Sequence, residues 1–369
     1  MEEAAPRPKL SERARNFYRD HEPACTVAFF VLGFFFDAMF IGRIDELRGI
    51  AQQGVYLLLC ALFTGYELRE QYGDFAPPDR FKTVWRYNAA ATHFMLGTLL
   101  NIYTLFYFKS ASLGTSFLFL LILVGLLAAN ELKPFGGSGT TLRLSLFSLC
   151  LVSYFTYLVP TLVGFIGVLP FLGTLVVSSA CIGLMWLWLK GHMKDPRVLV
   201  PHLLTPFGVV ALVFAGLYFT KVLPPVPLSL SDIGVYHDVT REGGEFKLTE
   251  TRPRWRFWER GDQTFLARPD DKIFCYVQVF SPGRFKERLQ LRWLRKDEGV
   301  GWEEEDAIPL DTAGGREEGW RGFVVKSRWK PGQWRVRVET SDGRELGRLG
   351  FSISPDETTG PRETRELLR

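Results

Sequence analysis

Apolar residues run in long unbroken windows through the first three fifths of the chain, then give way to strict alternation with polar residues. Seven windows are long enough to cross a hydrocarbon layer of about 30 Å. They are Pro23–Gly42, Ile50–Tyr66, Ala89–Phe108, Ser112–Asn130, Leu144–Gly164, Val168–Leu189 and Leu199–Thr220. Between Arg143 and Lys190 lie 46 consecutive residues without a charge, longer than any soluble core helix, which excludes a fully soluble protein. Glycines at 164 and 167, with Pro170 just beyond, break that run into two helices joined by a tight turn. The first window follows basic residues but has no small-x-small cleavage site, so it reads as a retained signal anchor.

From Leu228 the period changes to two. Ile273, Cys275, Val277 and Val279 alternate with more polar or aromatic neighbours, as do Leu289, Leu291 and Trp293, and Trp334, Val336 and Val338. Asp342-Gly343 between two alternating runs signals a hairpin. Turn residues at Ser281–Gly283, Gly314-Gly315 and Pro331-Gly332 separate short strands. The expected fold is therefore a seven-helix transmembrane bundle followed by an all-β immunoglobulin-like sandwich. The expected division is a basic tail (1–22), the bundle (23–221), a Pro-rich linker in polyproline geometry (222–227), the β-sandwich (228–354) and a disordered tail (355–369).

Charge sharpens this picture. Residues 1–221 carry 18 Lys+Arg and 14 Asp+Glu, and the remainder carries 26 of each, so the net +4 sits wholly in the first part. Alternate loops of the seven-helix scheme hold 14 positive residues on one side and three on the other. Positive residues stay in the cytoplasm, which puts the N-terminus inside and the β-domain outside. No basic stripe exists away from the membrane flanks, so nucleic acid is not an expected partner. Cys25, Cys60, Cys150 and Cys181 lie in apolar windows and only Cys275 belongs to the β-domain, so the five cysteines, with no CxxC and no HExxH, give no disulfide framework; no metal or cofactor is expected.

Polar residues at membrane depth are expensive and so are candidates for function. Asp37 precedes Arg43 by six residues, about 9 Å of helical rise. Arg43, Asp45, Glu46 and Lys109 should share the outer rim beneath the β-domain, either as a substrate or lipid-headgroup site or as an ion-pair network that seats the domain. Glu131 would lie near Arg86 at the inner side as a structural pair, and Pro160 could kink or break its helix. In the β-domain, Trp255 and Trp258 lie among arginines, and Trp320 lies near Arg316 and beside Arg321. Tryptophan next to arginine stacks a sugar, grips an anion, docks at lipid or caps a sandwich. His237 is the β-domain's single histidine, and Glu303–Asp306 reads as a solvated charge run; neither makes a catalytic constellation.

The stretches Gly314–Phe323 and Pro331–Phe351, with Lys272–Tyr276 and Leu289–Trp293, resemble the bacterial domain of unknown function 2914. Gly42–Asp45, Phe108–Ser112 and Asn130-Glu131 are similar to the helical part of multi-helix bacterial proteins that carry that domain, and the likeness spans residues 23 to 354. Arg292 stands where that family's pattern has His before the aromatic. The resemblance implies a bacterial inner-membrane protein with a periplasmic β-domain and supplies no catalytic residue. Three functions are open to this sequence. One is a non-catalytic envelope protein, embedded in the lipid bilayer, whose β-sandwich binds a periplasmic protein, an envelope glycan or a lipid headgroup. The others are a transporter of a small solute or ion and an intramembrane enzyme acting on an envelope lipid or glycan.

Overall fold

A computed structural model describes residues 44–131, 139–282, 285, 287–311, 319–358 and 360–369. The first apolar window, Asp37, Arg43 and Arg316 lie outside the described residues, as does the side chain of Glu131. Among the described residues there are seven α-helices: α1 (Leu47–Tyr72), the single turn α2 (Lys82–Trp85), α3 (Asn88–Ser110), α4 (Leu113–Glu131), α5 (Thr140–Val163), α6 (Val168–Lys190) and α7 (Thr205–Phe219). A π-helical turn, Val200–Leu204, leads into α7. Five helical segments are long and apolar enough to cross a membrane: α1, α3, α5, α6 and Pro196–Phe219; α4 has a shorter apolar stretch, Gly114–Leu123. By this measure the chain is a membrane protein.

Polar side chains inside the bundle tie helices together. Tyr157 donates to Gln53 at 2.7 Å and Tyr154 to the Ile50 carbonyl at 3.2 Å, joining α5 to α1. At the other end of the same pair, Glu67 is buried and accepts from Thr140 at 2.9 Å and from Arg143. A carboxylate so placed needs its cation, because an uncompensated charge there would cost several kcal/mol. Helix α5 runs through Pro160 unbroken and ends at Gly164, which takes the left-handed conformation. Trp188 of α6 packs so closely on α1 that a Cβ at Gly65 would lie 2.3 Å from its ring.

The remainder is β-rich: β1 (Ser229–Tyr236), β2 (Asp238–Glu242), β3 (Glu245–Glu250), β4 (Thr264–Ala267), β5 (Ile273–Phe280), β6 (Arg288–Asp297), β7 (Gly301–Asp311), β8 (Trp320–Lys326), β9 (Gly332–Thr340), β10 (Glu345–Pro355) and β11 (Arg365–Leu368). Three open sheets result, ordered β1-β5-β8, β4-β10-β9-β6-β7 and β11-β3-β2. The first two share one core, with Val277 and Val279 on one side and Trp293, Trp334 and Val336 on the other. The alternation read at β5, β6 and β9 thus faces inward as expected, and Asp342-Gly343 closes the β9–β10 hairpin. The Glu303–Asp306 run lies on the edge strand β7, where Glu304 pairs with Arg292, Glu305 with Arg295 and Asp306 with Lys326. Charge on an edge also discourages further strand pairing.

Two expectations fail. The tail beyond Pro355 is not unstructured: β11 pairs antiparallel with β3, Arg365 meets the buried Glu250, and Glu366 meets Lys247 at 2.9 Å. The linker is not an extended spacer. Leu223 and Val226 are buried in the bundle core and Leu228 in the β-core, and the Leu228 amide turns back onto the Pro225 carbonyl at 3.0 Å.

The bundle and β-domain are therefore wedged together at one end of the helices. The buried Glu345 of β10 accepts from Ser112 at the start of α4 and from two nitrogens of Arg348 at 2.6 Å each. Glu287 accepts from the Ile166 amide in the α5–α6 turn at 3.2 Å and from Ser341 at 2.9 Å. Arg344 sits over the Tyr218 ring of α7, 4.7 Å from its centre. Gly343 has φ +79°, and a Cβ there would lie 2.8 Å from the Lys221 ammonium. Gly343→Val should therefore cost about 1–3 kcal/mol, from a β-branched residue forced into the left-handed region and from displacement of Lys221. Thermal unfolding of the purified protein should show a lowered midpoint; an unchanged midpoint would contradict this packing.

Candidate functional site

The predicted aromatic residues of the β-domain fall in two separate places. Trp320 and Arg321 lie at the start of β8, with Trp320 opposite Val279 and packed against the β-core. Trp255 and Trp258 lie in the loop between β3 and β4, whose end meets Val235 on β1, the opposite edge strand of that sheet. Trp320 stands two strand spacings and four residues of register from the loop's base at Val235, about 10 Å by 13 Å, and no ring contact joins it to Trp255 or Trp258 among the described residues.

The 251–263 loop is fixed at its base by buried groups. Asp262 accepts from the Thr251 amide at 2.9 Å and its hydroxyl at 3.1 Å, while the Asp262 amide donates to the Val235 carbonyl at 2.7 Å. Gly261 has φ +69°, and a Cβ would lie 2.2 Å from the Val235 carbonyl oxygen, so only glycine lets the loop approach the strand. Arg252 bridges the fully buried Glu250, at 3.1 Å, to the Arg256 carbonyl. Two turns, Pro253 to Arg256 and Arg256 to Glu259, shape the rest.

On this base the tip carries three large rings in solvent. Trp255 is 61% exposed, Phe257 82% and Trp258 60%. Trp258 meets Trp255 edge-on at 5.6 Å and Phe257 at 5.2 Å. Arg256 caps Trp255 at 4.9 Å and pairs with Glu259 at 3.5 Å, and Arg254 is exposed beside them. The loop's contact with Val235 lies six residues, or about 20 Å of strand, beyond Ser229, where the chain leaves the bundle. The alternating Arg/Trp run was legible in the sequence. Phe257 was not singled out, although it is the most exposed ring of the three.

At the rim of the bundle, the sequence-predicted residues divide. Lys109 is exposed, with no ion pair among the described residues, and lines a crevice with Ile44 beneath β1; Asp45 is half-buried next to Ile44 and does not line it. Of the other residues expected at this rim, Glu46 is exposed, while Asp37 and Arg43 lie outside the described residues. No three His, Cys, Asp or Glu side chains cluster as a metal site among those described.

His237 packs on Phe265 at 4.1 Å, with Asp262 at 3.7 Å on one side and Arg362 at 3.4 Å on the other. Burial, then the Arg362 charge, hold its pKa down to about 4, whereas burial lifts Asp262 up to about 7. Between about pH 4 and 7 both groups are thus neutral in the fold. Between about pH 4 and 7 the folded protein holds a proton on Asp262 that the unfolded chain loses, so this group's contribution to stability falls as pH rises. His237 works the other way: the unfolded chain takes up a proton below about pH 6.5 that the fold refuses, so its contribution falls as pH drops. Asp262→Asn should leave only the histidine effect. The stability of wild type relative to this variant should decline steadily from pH 4 to 7 in thermal unfolding, and a difference independent of pH would contradict the assignment.

No curated protein matches the chain. Among solved structures, it is similar at 10% identity to the GH3 beta-glucosidase of Bifidobacterium adolescentis, over 37% of this chain and 18% of that one, with a TM-score of 0.20. The Kluyveromyces marxianus beta-glucosidase in complex with glucose gives 15% identity, 37% and 14% coverage and a TM-score of 0.17. The chain thus spans less than a fifth of the length of these glucosidases. The alkylpurine DNA glycosylase AlkC of Pseudomonas fluorescens, bound to DNA containing an abasic site analog, gives 10% identity over 76% of this chain and 84% of that one, with a TM-score of 0.20. Likenesses this slight carry neither a fold nor a function. Residues 286–353, from the approach to β6 through most of β10, match the model of the protein family of unknown function DUF2914, so the C-terminal region holds a domain similar to that family.

Proposed function

We propose that this protein is a membrane-held recognition protein of the bacterial envelope, without catalytic activity of its own. In this reading the helices anchor the chain in the inner membrane with the N-terminus in the cytoplasm. The β-region is an immunoglobulin-like sandwich on the periplasmic side. Its ligand is an envelope glycan gripped by the loop carrying Trp255, Phe257 and Trp258.

The observation that carries the reading is the exposure of three large rings on a loop whose base is locked by buried hydrogen bonds and ion pairs. Exposed apolar surface of this kind costs solubility and is kept where it is used. Tryptophan faces suit the C–H faces of sugar rings, and the exposed Arg254 suits a carboxylate or phosphate on the same polymer. A rigid base also supports the reading, because a pre-ordered loop loses little entropy on binding. Docking of the same rings into a bilayer is the competing use, and about 20 Å of strand between the bundle and the loop's base favours the glycan.

The test uses the full-length protein in neutral detergent, with purified peptidoglycan fragments and lipopolysaccharide as probes and tryptophan fluorescence as the signal. Trp255→Ala and Trp258→Ala should each weaken saturable glycan binding by about fivefold, for about 1 kcal/mol of stacking per ring. Trp320→Phe should leave it unchanged. Glycan binding that survives loss of both loop tryptophans, or fluorescence that responds only to phosphatidylglycerol vesicles, would overturn the proposal.

A further inference from the structure

A second site lies where the β-domain meets the bundle, independent of the aromatic loop. The last turn of α3, the linker and the first residues of β1 enclose a crevice of about 560 Å³, within the range of small-molecule sites. Its walls are of two kinds. Phe106, Leu230 and Phe280 give apolar surface, while Lys109, Ser229 and Ser231 bring one cation and two hydroxyls.

Local structure holds the crevice open. The β1–β5 register slips between Leu230 and Asp232, which leaves Ser231 as an unpaired bulge residue at the crevice wall. Leu230 is seated over Gly347, where a Cβ would lie 2.5 Å from its side chain, so the glycine makes room for this wall. Lys109 sits in the last turn of α3, where the helix's carbonyl end favours a positive charge, yet it has no carboxylate partner among the described residues. Its counter-charge is thus available to come from a ligand.

The position of the crevice decides which ligand. Helix α3 is long and apolar enough to cross the membrane, and the crevice is built on its final residues, with Phe108 half-exposed at the opening. That is the depth at which hydrocarbon gives way to lipid headgroups. We infer that this crevice binds one membrane phospholipid, with its phosphate on Lys109 and the serine hydroxyls and the upper part of a chain against Phe106, Leu230 and Phe280. Such a lipid would fill the space between the two domains and favour their seated arrangement.

Native mass spectrometry of the full-length protein, released from neutral detergent after incubation with phosphatidylglycerol or phosphatidylcholine, tests this. Wild type should retain one phosphatidylglycerol in preference to phosphatidylcholine. Lys109→Gln should reduce retention about tenfold, for a lost charge-assisted contact of about 1.5 kcal/mol, and Lys109→Arg should restore it. Ser231→Trp, an exposed position that would fill the opening, should also remove the lipid. Retention by both Lys109→Gln and Ser231→Trp at the wild-type level would overturn the inference. Displacement of the lipid by inorganic phosphate would also overturn it, by making the site one for a free anion. Loss of the lipid in Trp255→Ala would overturn it too, by moving the lipid to the aromatic loop.

Discussion

A carboxylate out of water must be compensated where it stands, and Glu345 and Glu287 impose that demand on the junction between the two halves of this protein. Glu345 is buried against the start of α4 and is held there by Ser112, by Arg348 and, at 3.4 Å, by Arg337. Glu287 is held by an amide of the α5–α6 turn and by Ser341 of the β9–β10 hairpin; burial, foremost, raises its pKa. Losing one hydrogen-bond partner of such a buried group costs about 1–3 kcal/mol, more than a surface contact provides. The polar clasp therefore specifies one seating of the β-domain, where an apolar contact alone would tolerate sliding.

Apolar burial supplies the complementary part. Leu223 and Val226 finish the bundle core, and Leu228 begins the β-core two residues later. No free hinge remains between them, because Val222, Leu223, Val226 and Leu228 all spend their amides on local carbonyls. A β-domain fixed in this way presents its aromatic loop at a set distance from the bundle and encloses the crevice against α3. Both candidate sites thus depend on the same seating.

Much of the architecture was legible in the sequence because its signals are local. A charge-free run of apolar residues has few structural alternatives, and the six apolar windows within the described residues all fall on helices. Alternation at Ile273–Val279 and the Asp342-Gly343 turn likewise specify strands and a hairpin from neighbours alone. Contacts between distant residues were not legible. Pro224, Pro225 and Pro227 suggested a stiff spacer, but the apolar residues among them found two cores to enter, and burial prevailed over propensity. The polar tail beyond Pro355 read as disordered, yet its Arg365 meets the buried Glu250, 115 residues earlier. Trp255 and Trp320 share an Arg/Trp composition, and only the strand order β1-β5-β8 places them on opposite edges. At the rim, the crevice that Lys109 lines depends on a bulge at Ser231 that no local pattern marks.

Hydrogen–deuterium exchange across residues 222–228 of the full-length protein in a lipid nanodisc tests the seating most directly. The account predicts that the amides of Val222, Leu223, Val226 and Leu228 exchange as slowly as those in the core strand β9, since each is bonded within a packed junction. Exchange as fast as that of an exposed loop would mean that the linker is open and the β-domain is tethered rather than seated, and the account would fail at its foundation.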